Sequence, residues 1–265
     1  MKKILWLALL SAMSLPAVAQ TADDAGQSSD APPRFGLGVG VVADERPYAG
    51  EGTRTIPFPL VSYNGERFYY MGDTVGWRFI KGDAFELSAV GKLRIDGFDA
   101  EDLGRRELAA NGINRDLLND RDFEFDIGLG LRWTGKAGEF SAQFVADATN
   151  TSDGDEANFE YAYPIEAGRG NLRPLVGFSV LSDRMANYYY GTLKKEVARG
   201  VVDYRPGEVV IPYAGIQYMQ PIGEKWSFMA FARYNWLPEE ITDSPLVEEG
   251  LDGTGTVFVG FWRNF

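Results

Sequence analysis

From about Arg34 to Phe265 the chain repeats one pattern: about ten residues of alternating apolar and polar character, then a break. The clearest copy runs Phe85-Glu86-Leu87-Ser88-Ala89-Val90-Gly91-Lys92-Leu93-Arg94-Ile95-Asp96, with apolar or small residues at odd positions and mostly polar ones at even positions. A period of two describes a strand with two chemically different faces. A second copy, Asp122–Trp133, carries Phe123, Phe125, Ile127, Leu129, Leu131 and Trp133 on one face. Asp122, Glu124, Asp126, Gly128, Gly130 and Arg132 lie on the other. Repeated around a chain that ends in Phe, the pattern predicts an all-β fold: a transmembrane, antiparallel, up-and-down β-barrel.

Twelve strands are expected, near 34–42, 56–63, 66–71, 74–80, 84–96, 122–133, 139–149, 157–167, 171–182, 209–219, 225–237 and 254–265. Pro57 and Pro59 are awkward in the second, because neither can donate to a ladder. The third and fourth are short, and read either as one hairpin or as a distorted edge. In the first, Gly36, Gly38 and Gly40 share one face, which leaves room for bulky groups inside or for a tight bend. The connectors supply a polarity. With the N-terminus inside, the turns after even strands fall on the periplasmic side: Asn64-Gly65, Lys81-Gly82-Asp83, Thr134–Gly138, Gly168-Arg169-Gly170 and Pro221–Glu224. All are short and contain Gly, as periplasmic turns require. Four of the six connectors after odd strands are long, as extracellular loops are; Gly72-Asp73 is a short one.

The N-terminus adds a compartment. Lys2 and Lys3, the apolar run Ile4–Leu10 and the small-x-small site Ala17-Val18-Ala19 read as a signal peptide over 1–19. Residues 20–33, rich in Asp, Ser, Ala and Pro, read as a disordered periplasmic leader, and 34–265 as the barrel. The bacterial outer membrane is the expected location. Membrane lipid and lipopolysaccharide would surround the barrel, and the barrel-assembly machinery would handle it during biogenesis. That machinery reads alternate apolar residues and a terminal aromatic on the last strand. Val257, Val259, Phe261 and Phe265 fit the register; Arg263 does not, unless a local bulge lets Trp262 substitute.

Composition narrows the chemistry. There is no Cys and no His. A disulfide framework, thiolate and imidazole metal ligands, and Ser-His or Asp-His catalytic pairs are therefore excluded. No catalytic residue, cofactor or metal site is assigned, and a non-enzymatic protein is expected. A formal charge of -12 argues against a nucleic-acid partner, which needs a basic footprint. The loop 238–253 concentrates Glu239, Glu240, Asp243, Glu248, Glu249 and Asp252, but EF-hand spacing is absent, so a solvated acidic loop is expected. Mixed charges on the presumed lumen face, among them Glu86, Lys92, Arg94, Asp96, Glu124, Asp126 and Arg132, plug the barrel if they interlock. They line a channel if they segregate.

The loop 183–208 is the most distinctive segment. Thr192 is a plausible N-cap and Gly200 a C′ residue for a two-turn helix over Leu193–Arg199. Either this loop enters the lumen as a constriction or binding face, or it packs on itself outside with Tyr188–Tyr190 in the aromatic girdle. Partial helix is expected in 97–121.

Tyr189-Tyr190-Gly191, the downstream Gly200, Tyr204-Arg205-Pro206-Gly207 and Asp243-Ser244-Pro245-Leu246-Val247, in this order and spacing, resemble the MipA/OmpV family of outer-membrane proteins. The likeness is strongest over 172–265; the ending Trp262-Arg263-Asn264-Phe265 departs from the usual Tyr-x-Phe. The resemblance implies a scaffold for a murein synthase and a lytic transglycosylase. It also marks Tyr189, Tyr190, Gly191, Tyr204, Arg205, Pro206, Gly207, Asp243, Ser244 and Pro245 as candidate ligand- or partner-binding residues. The alternative is a small-solute channel or ligand-binding barrel gated by 183–208.

Overall fold

A computed structural model of the chain describes residues 34–265. The expected signal peptide and leader lie outside the described residues.

Thirteen strands form one antiparallel sheet: β1 (Phe35–Glu45), β2 (Thr53–Asn64), β3 (Phe68–Met71), β4 (Thr74–Lys81), β5 (Phe85–Arg94), β6 (Glu124–Gly135), β7 (Gly138–Asp147), β8 (Asp155–Ala162), β9 (Ile165–Ala167), β10 (Gly170–Leu181), β11 (Val209–Ile222), β12 (Trp226–Trp236) and β13 (Gly253–Asn264). The sheet closes through β13 on β1 and through β10 on β11. Closure joins the first and last strands, so the sheet has no terminal edge strand of the kind hydrocarbon forbids. β8 and β9 pair with β10 in one continuous register, Leu175 opposite Ala162 and Leu172 opposite Ile165. They form a single stave, interrupted at Tyr163-Pro164 because proline has no N–H to donate. The barrel thus has twelve staves, as the periodicity predicts. Short turns close one end, and the long loops after β1, β5, β10 and β12 gather at the other.

The alternation has its expected physical meaning. Phe35, Leu37, Val39 and Val41 face outward, and Val39 is 68% exposed, on the surface that lipid covers. The glycines opposite them make room. A Cβ on Gly40 would stand 2.6 Å from the Phe258 ring, and one on Gly38 would meet the Phe261 carbonyl at 2.1 Å, where the neighbouring backbone approaches closely. Phe258 packs in the lumen with Val42, Phe58, Leu175, Met229 and Phe231. One side of the lumen is therefore an apolar core, and most of the charged side chains lie on β4–β8, with Arg173 of β10 and Arg233 of β12 adding to them.

Several details differ from expectation. The first strand runs on to Glu45 and the fifth stops at Arg94. The last strand has no bulge: Trp262 points inward, opposite Gly38, and pairing is unbroken on both sides. Arg263 sits on the outer face with its guanidinium over the Phe265 ring at 5.0 Å, which covers part of its charge. Asp122 is exposed just before β6, so it is not a lumen residue.

Candidate functional site

The four long loops fold into a cap over the loop end of the barrel. The loop after β5 holds α1 (Arg105–Ala110) and two turns of 3-10 helix, the partial helix that 97–121 predicts. The loop after β10 holds α2 (Asp183–Tyr190) and α3 (Lys194–Val197), and the loop after β12 holds α4 (Glu239–Thr242). Two apolar clusters bind the loops together. One joins Tyr48 and Ala49 of the first loop to Phe98, Leu103, Leu108, Val201 and Leu246. The other joins Met185, Ala186 and Tyr189 of α2 to Ile241, Val247 and the lip of β11. The cap thus has its own hydrophobic core, which solvated loops lack.

α2 is the element that sequence missed. Met185, Ala186 and Tyr189 recur at helical spacing, and all three are buried. The three tyrosines mask that period, because in a barrel an aromatic run reads as girdle. In α3, Leu193 is the N-cap and the Glu196 carboxylate accepts its N–H at 2.7 Å. Thr192 does a different job. Its hydroxyl donates to the Val202 carbonyl at 2.8 Å and accepts the Tyr204 N–H at 2.7 Å, which folds the loop back on itself. Gly200 ends the turn with φ +103, a value only glycine adopts without strain.

The candidate residues divide. Tyr190, Gly191, Ser244 and Pro245 come together: the Ser244 hydroxyl donates to the Tyr190 carbonyl at 2.5 Å, and the Pro245 carbonyl accepts from Asn111 at 3.2 Å. A Cβ on Gly191 would meet the Asn187 side chain at 2.5 Å, so the tight exit from α2 needs glycine. Tyr204 joins them through its hydroxyl, which donates to the Glu240 carbonyl at 2.9 Å. Tyr189 is buried beneath, and Pro206 is buried farther along the same loop. Arg205 and Asp243 are exposed; Arg205 pairs with Asp203, at 3.1 Å. Gly207 lies at the surface with φ +76.

Sequence reasoning passed over the cap's strongest polar tie. Arg121, at the end of the β5–β6 loop, forms an ion pair with Glu196 at 2.7 Å, both side chains fully buried. Its remaining N–H groups donate to the carbonyls of Tyr188 (2.5 Å), Gly191 (3.1 Å) and Asn119 (2.9 Å). Burial alone would raise the Glu196 carboxyl. The Arg121 hydrogen bonds and charge, with the N–H groups of Asn119 and Leu193, outweigh it and hold the carboxyl below its usual range. Arg46 plays the same part on the other side, donating to the carbonyls of Asp96 and Gly97, each at 2.8 Å. Burial, and then the neighbouring Tyr190, Asp96 and Glu51, push the Tyr48 hydroxyl well above its ordinary value against the opposing pull of Arg46. That hydroxyl stays a donor, to the Asp96 carbonyl at 3.0 Å.

Under the cap lies a polar cavity of about 140 Å³, with Tyr190 in its roof. A second, of about 80 Å³, lies deeper. Thr74, Gln143 and Asn158 line both. Asn158 is clamped there, donating to Ser179 Oγ at 2.7 Å and accepting from the Tyr213 hydroxyl at 3.1 Å. The lumen charges interlock. Arg94 pairs with Asp96, Glu124, Asp126 and Glu156, and Lys92 adds a second contact to Glu156 at 3.1 Å. Deeper, Arg173 joins Glu139 and Glu160, each at 2.9 Å. Glu124, Asp126 and Asp147 each bring a carboxylate oxygen within 4.8 Å of the others, the spacing of a cation site. Their oxygens are largely committed within the protein. Arg94 holds the first two, and Asp147 accepts the N–H groups of Thr151 (2.5 Å), Ser152 (2.8 Å) and Asp153 (3.0 Å).

Residues 37–265 match the family model described as MltA-interacting protein MipA. The chain is 30% identical over 231 residues to the putative outer membrane protein YiaT of Escherichia coli K12, covering 86% of this chain and 89% of that one. It is 28% identical over 229 residues to the MltA-interacting protein of the same strain, covering 85% and 90%. To the outer membrane protein OmpV of Vibrio cholerae it is 26% identical, covering 70% of each. Among solved structures, the COG4313 outer membrane channel of Pseudomonas putida F1 superposes with a TM-score of 0.45 at 12% identity, over 92% of this chain and 100% of that one. The chain belongs to the MipA family and is an outer-membrane β-barrel.

Proposed function

We propose that this barrel is non-enzymatic and closed to free diffusion, and that it works from its periplasmic rim as a docking platform for murein-synthesising and murein-cleaving enzymes. The observation that carries this reading is the cap. Two apolar clusters and the buried Arg121–Glu196 pair occupy the outer mouth, while interlocked charges and an apolar core fill the lumen. This packing supports a bore closed to free passage, which leaves the rigid rim as the working surface. The partner class comes from the relative named MltA-interacting protein. The absence of His and Cys, with lumen carboxylates tied to Arg and Lys, supports a role without catalysis.

In this reading Tyr189, Tyr190, Gly191, Tyr204, Ser244 and Pro245 act by holding the cap shut, and Arg205, Gly207 and Asp243 are its outer surface. The mature chain, purified and used as bait in envelope extract, is expected to recover a murein synthase or a lytic transglycosylase. A blank recovery overturns the platform. A second reading, a small-solute barrel gated by 183–208, is favoured by one observation: Tyr190 roofs a polar cavity directly beneath that loop.

A further inference from the structure

The wall is incomplete in one place. β3 and β4 are short, and their partners define a line along which the wall stops: Lys92 opposite Thr74, Thr74 opposite Met71, Met71 opposite Ser62. Beyond that line β2 continues from Val61 to Thr53 against β1 alone, and among the described residues nothing pairs with its other edge. At a rise of about 3.3 Å per residue this is roughly 25 Å of bare edge, and the hairpin holds β2 and β5 about 14 Å apart, three strand spacings.

Pro57 and Pro59 now make sense. The Gly65 N–H bonds to the Phe68 carbonyl across the β2–β3 ladder, and the Asn64 N–H bonds to Arg34 on the opposite side. Odd residues of β2 therefore aim their N–H positions at the bare edge. Two prolines there remove two donors that would otherwise lack partners in hydrocarbon. Above, the breach is bridged by Arg46 to Asp96 and Gly97 and by Arg54 to Asp102 at 3.4 Å. Its outer rim is apolar, with Pro57 and Pro59 on β2 and Leu93 on β5.

Behind the breach lies the upper cavity. Asp73, at the hairpin tip, and Thr74 line it. Asp73 is buried, forms no ion pair among the described residues, and accepts the Thr74 hydroxyl at 2.9 Å. Glu45, also in the lining, accepts the Gly255 N–H at 3.2 Å and forms no ion pair among the described residues. By contrast Lys92, Arg94, Asp96 and Glu156 neutralise one another. Arg233, another cation of the lining, lies over the Tyr213 ring at 3.5 Å and donates to Asn235 at 2.7 Å. At the hairpin tip itself, the group without an ionic partner among the described residues is the Asp73 carboxyl.

We propose that this breach is a lateral portal. The cap closes the axial route, and the polar cavity communicates through the wall with the outer leaflet. It takes the amine-bearing head of a small amphiphile whose apolar body stays in the membrane. This goes beyond docking at the periplasmic rim and stands or falls separately from it.

The chain has no cysteine, so single-cysteine variants report without background. Thr74→Cys at the hairpin tip and Val176→Cys on the lipid-facing side of β10 are reconstituted in phosphatidylcholine vesicles, with heat-modifiable gel mobility confirming the fold. Each is reacted with N-dodecylmaleimide, which enters the bilayer, and with a sulfonated maleimide, which does not. N-dodecylmaleimide is expected to modify Thr74→Cys within about tenfold of its rate at Val176→Cys, and the sulfonated reagent at least about tenfold more slowly. Dodecylamine is expected to slow the reaction at Thr74→Cys, dodecyl sulfate is not, and Asp73→Asn should remove the amine's protection. Reaction with the sulfonated reagent alone, or with neither reagent, overturns the portal. Equal protection by dodecyl sulfate overturns the amine-bearing head.

Discussion

Arg121 and Glu196 decide whether the cap stays down. Both are fully buried, so truncating one strands the other's charge in a dry site, which typically costs 3–5 kcal/mol (about that range). Glu196→Ala is expected to lower the temperature at which trypsin begins to cut at Arg199, while the barrel keeps its folded gel mobility; Glu196→Gln, which keeps an acceptor, should lower it less. The pair also sets a pH limit. The folded Glu196 carboxyl titrates below its unfolded value of about 4.3, so its contribution is complete above that pH and is lost as pH falls through the lower folded value. Cap protection measured by pepsin cleavage should therefore fall only below about pH 4 in the parent, and Glu196→Gln should flatten that dependence. Ser244→Ala removes two hydrogen bonds, the one donated to the Tyr190 carbonyl and the one accepted from the Leu246 N–H, and should cost about 1–2 kcal/mol of cap stability in the same trypsin assay, less than Glu196→Ala.

At the scale of elements, the strands were legible because each writes its own period of two, and closure follows from having twelve. Gly40 shows how far that legibility reaches. Its face was readable as a space for bulk, but the occupant, Phe258, is more than two hundred residues away and no local pattern names it. Gly40→Val should force Phe258 off its rotamer, cost about 1–3 kcal/mol, and slow refolding into detergent; Phe258→Ala in the same chain should restore much of the yield. Failure of that rescue would show that Gly40 is needed for its backbone and not for the space. The loops were less legible for the same reason. α2 has too few apolar residues to announce itself, and its buried face exists only because Ile241 and Val247 of another loop cover it. Arg121 and Glu196 read as ordinary surface charges until the fold brings them together. Pro57 and Pro59 were flagged as misfits in a strand, and they are where the wall leaves an edge bare.

At the scale of the whole molecule, the cap and the lumen are two barriers in series, and they are built differently. The cap rests on loop-to-loop packing and one buried pair. The lumen rests on side chains of the closed ladder: Phe58, Phe231 and Phe258 on one side, and Arg173 with Glu139 and Glu160 on the other. Deleting Leu193–Arg199 removes Glu196 and with it the tie that seats the cap, but leaves every lumen group in place. If the barrel is a docking platform, that deletion should yield a folded protein with no stepwise conductance in planar bilayers, as in the intact chain. Conductance should appear only when Phe58→Ala and Phe258→Ala are added, because those two rings block the bore below the cap. Discrete steps from the loop deletion alone would mean that the loop is the sole gate, and would decide for a solute channel over a platform. The deletion separates the two readings because it acts on one barrier without touching the other.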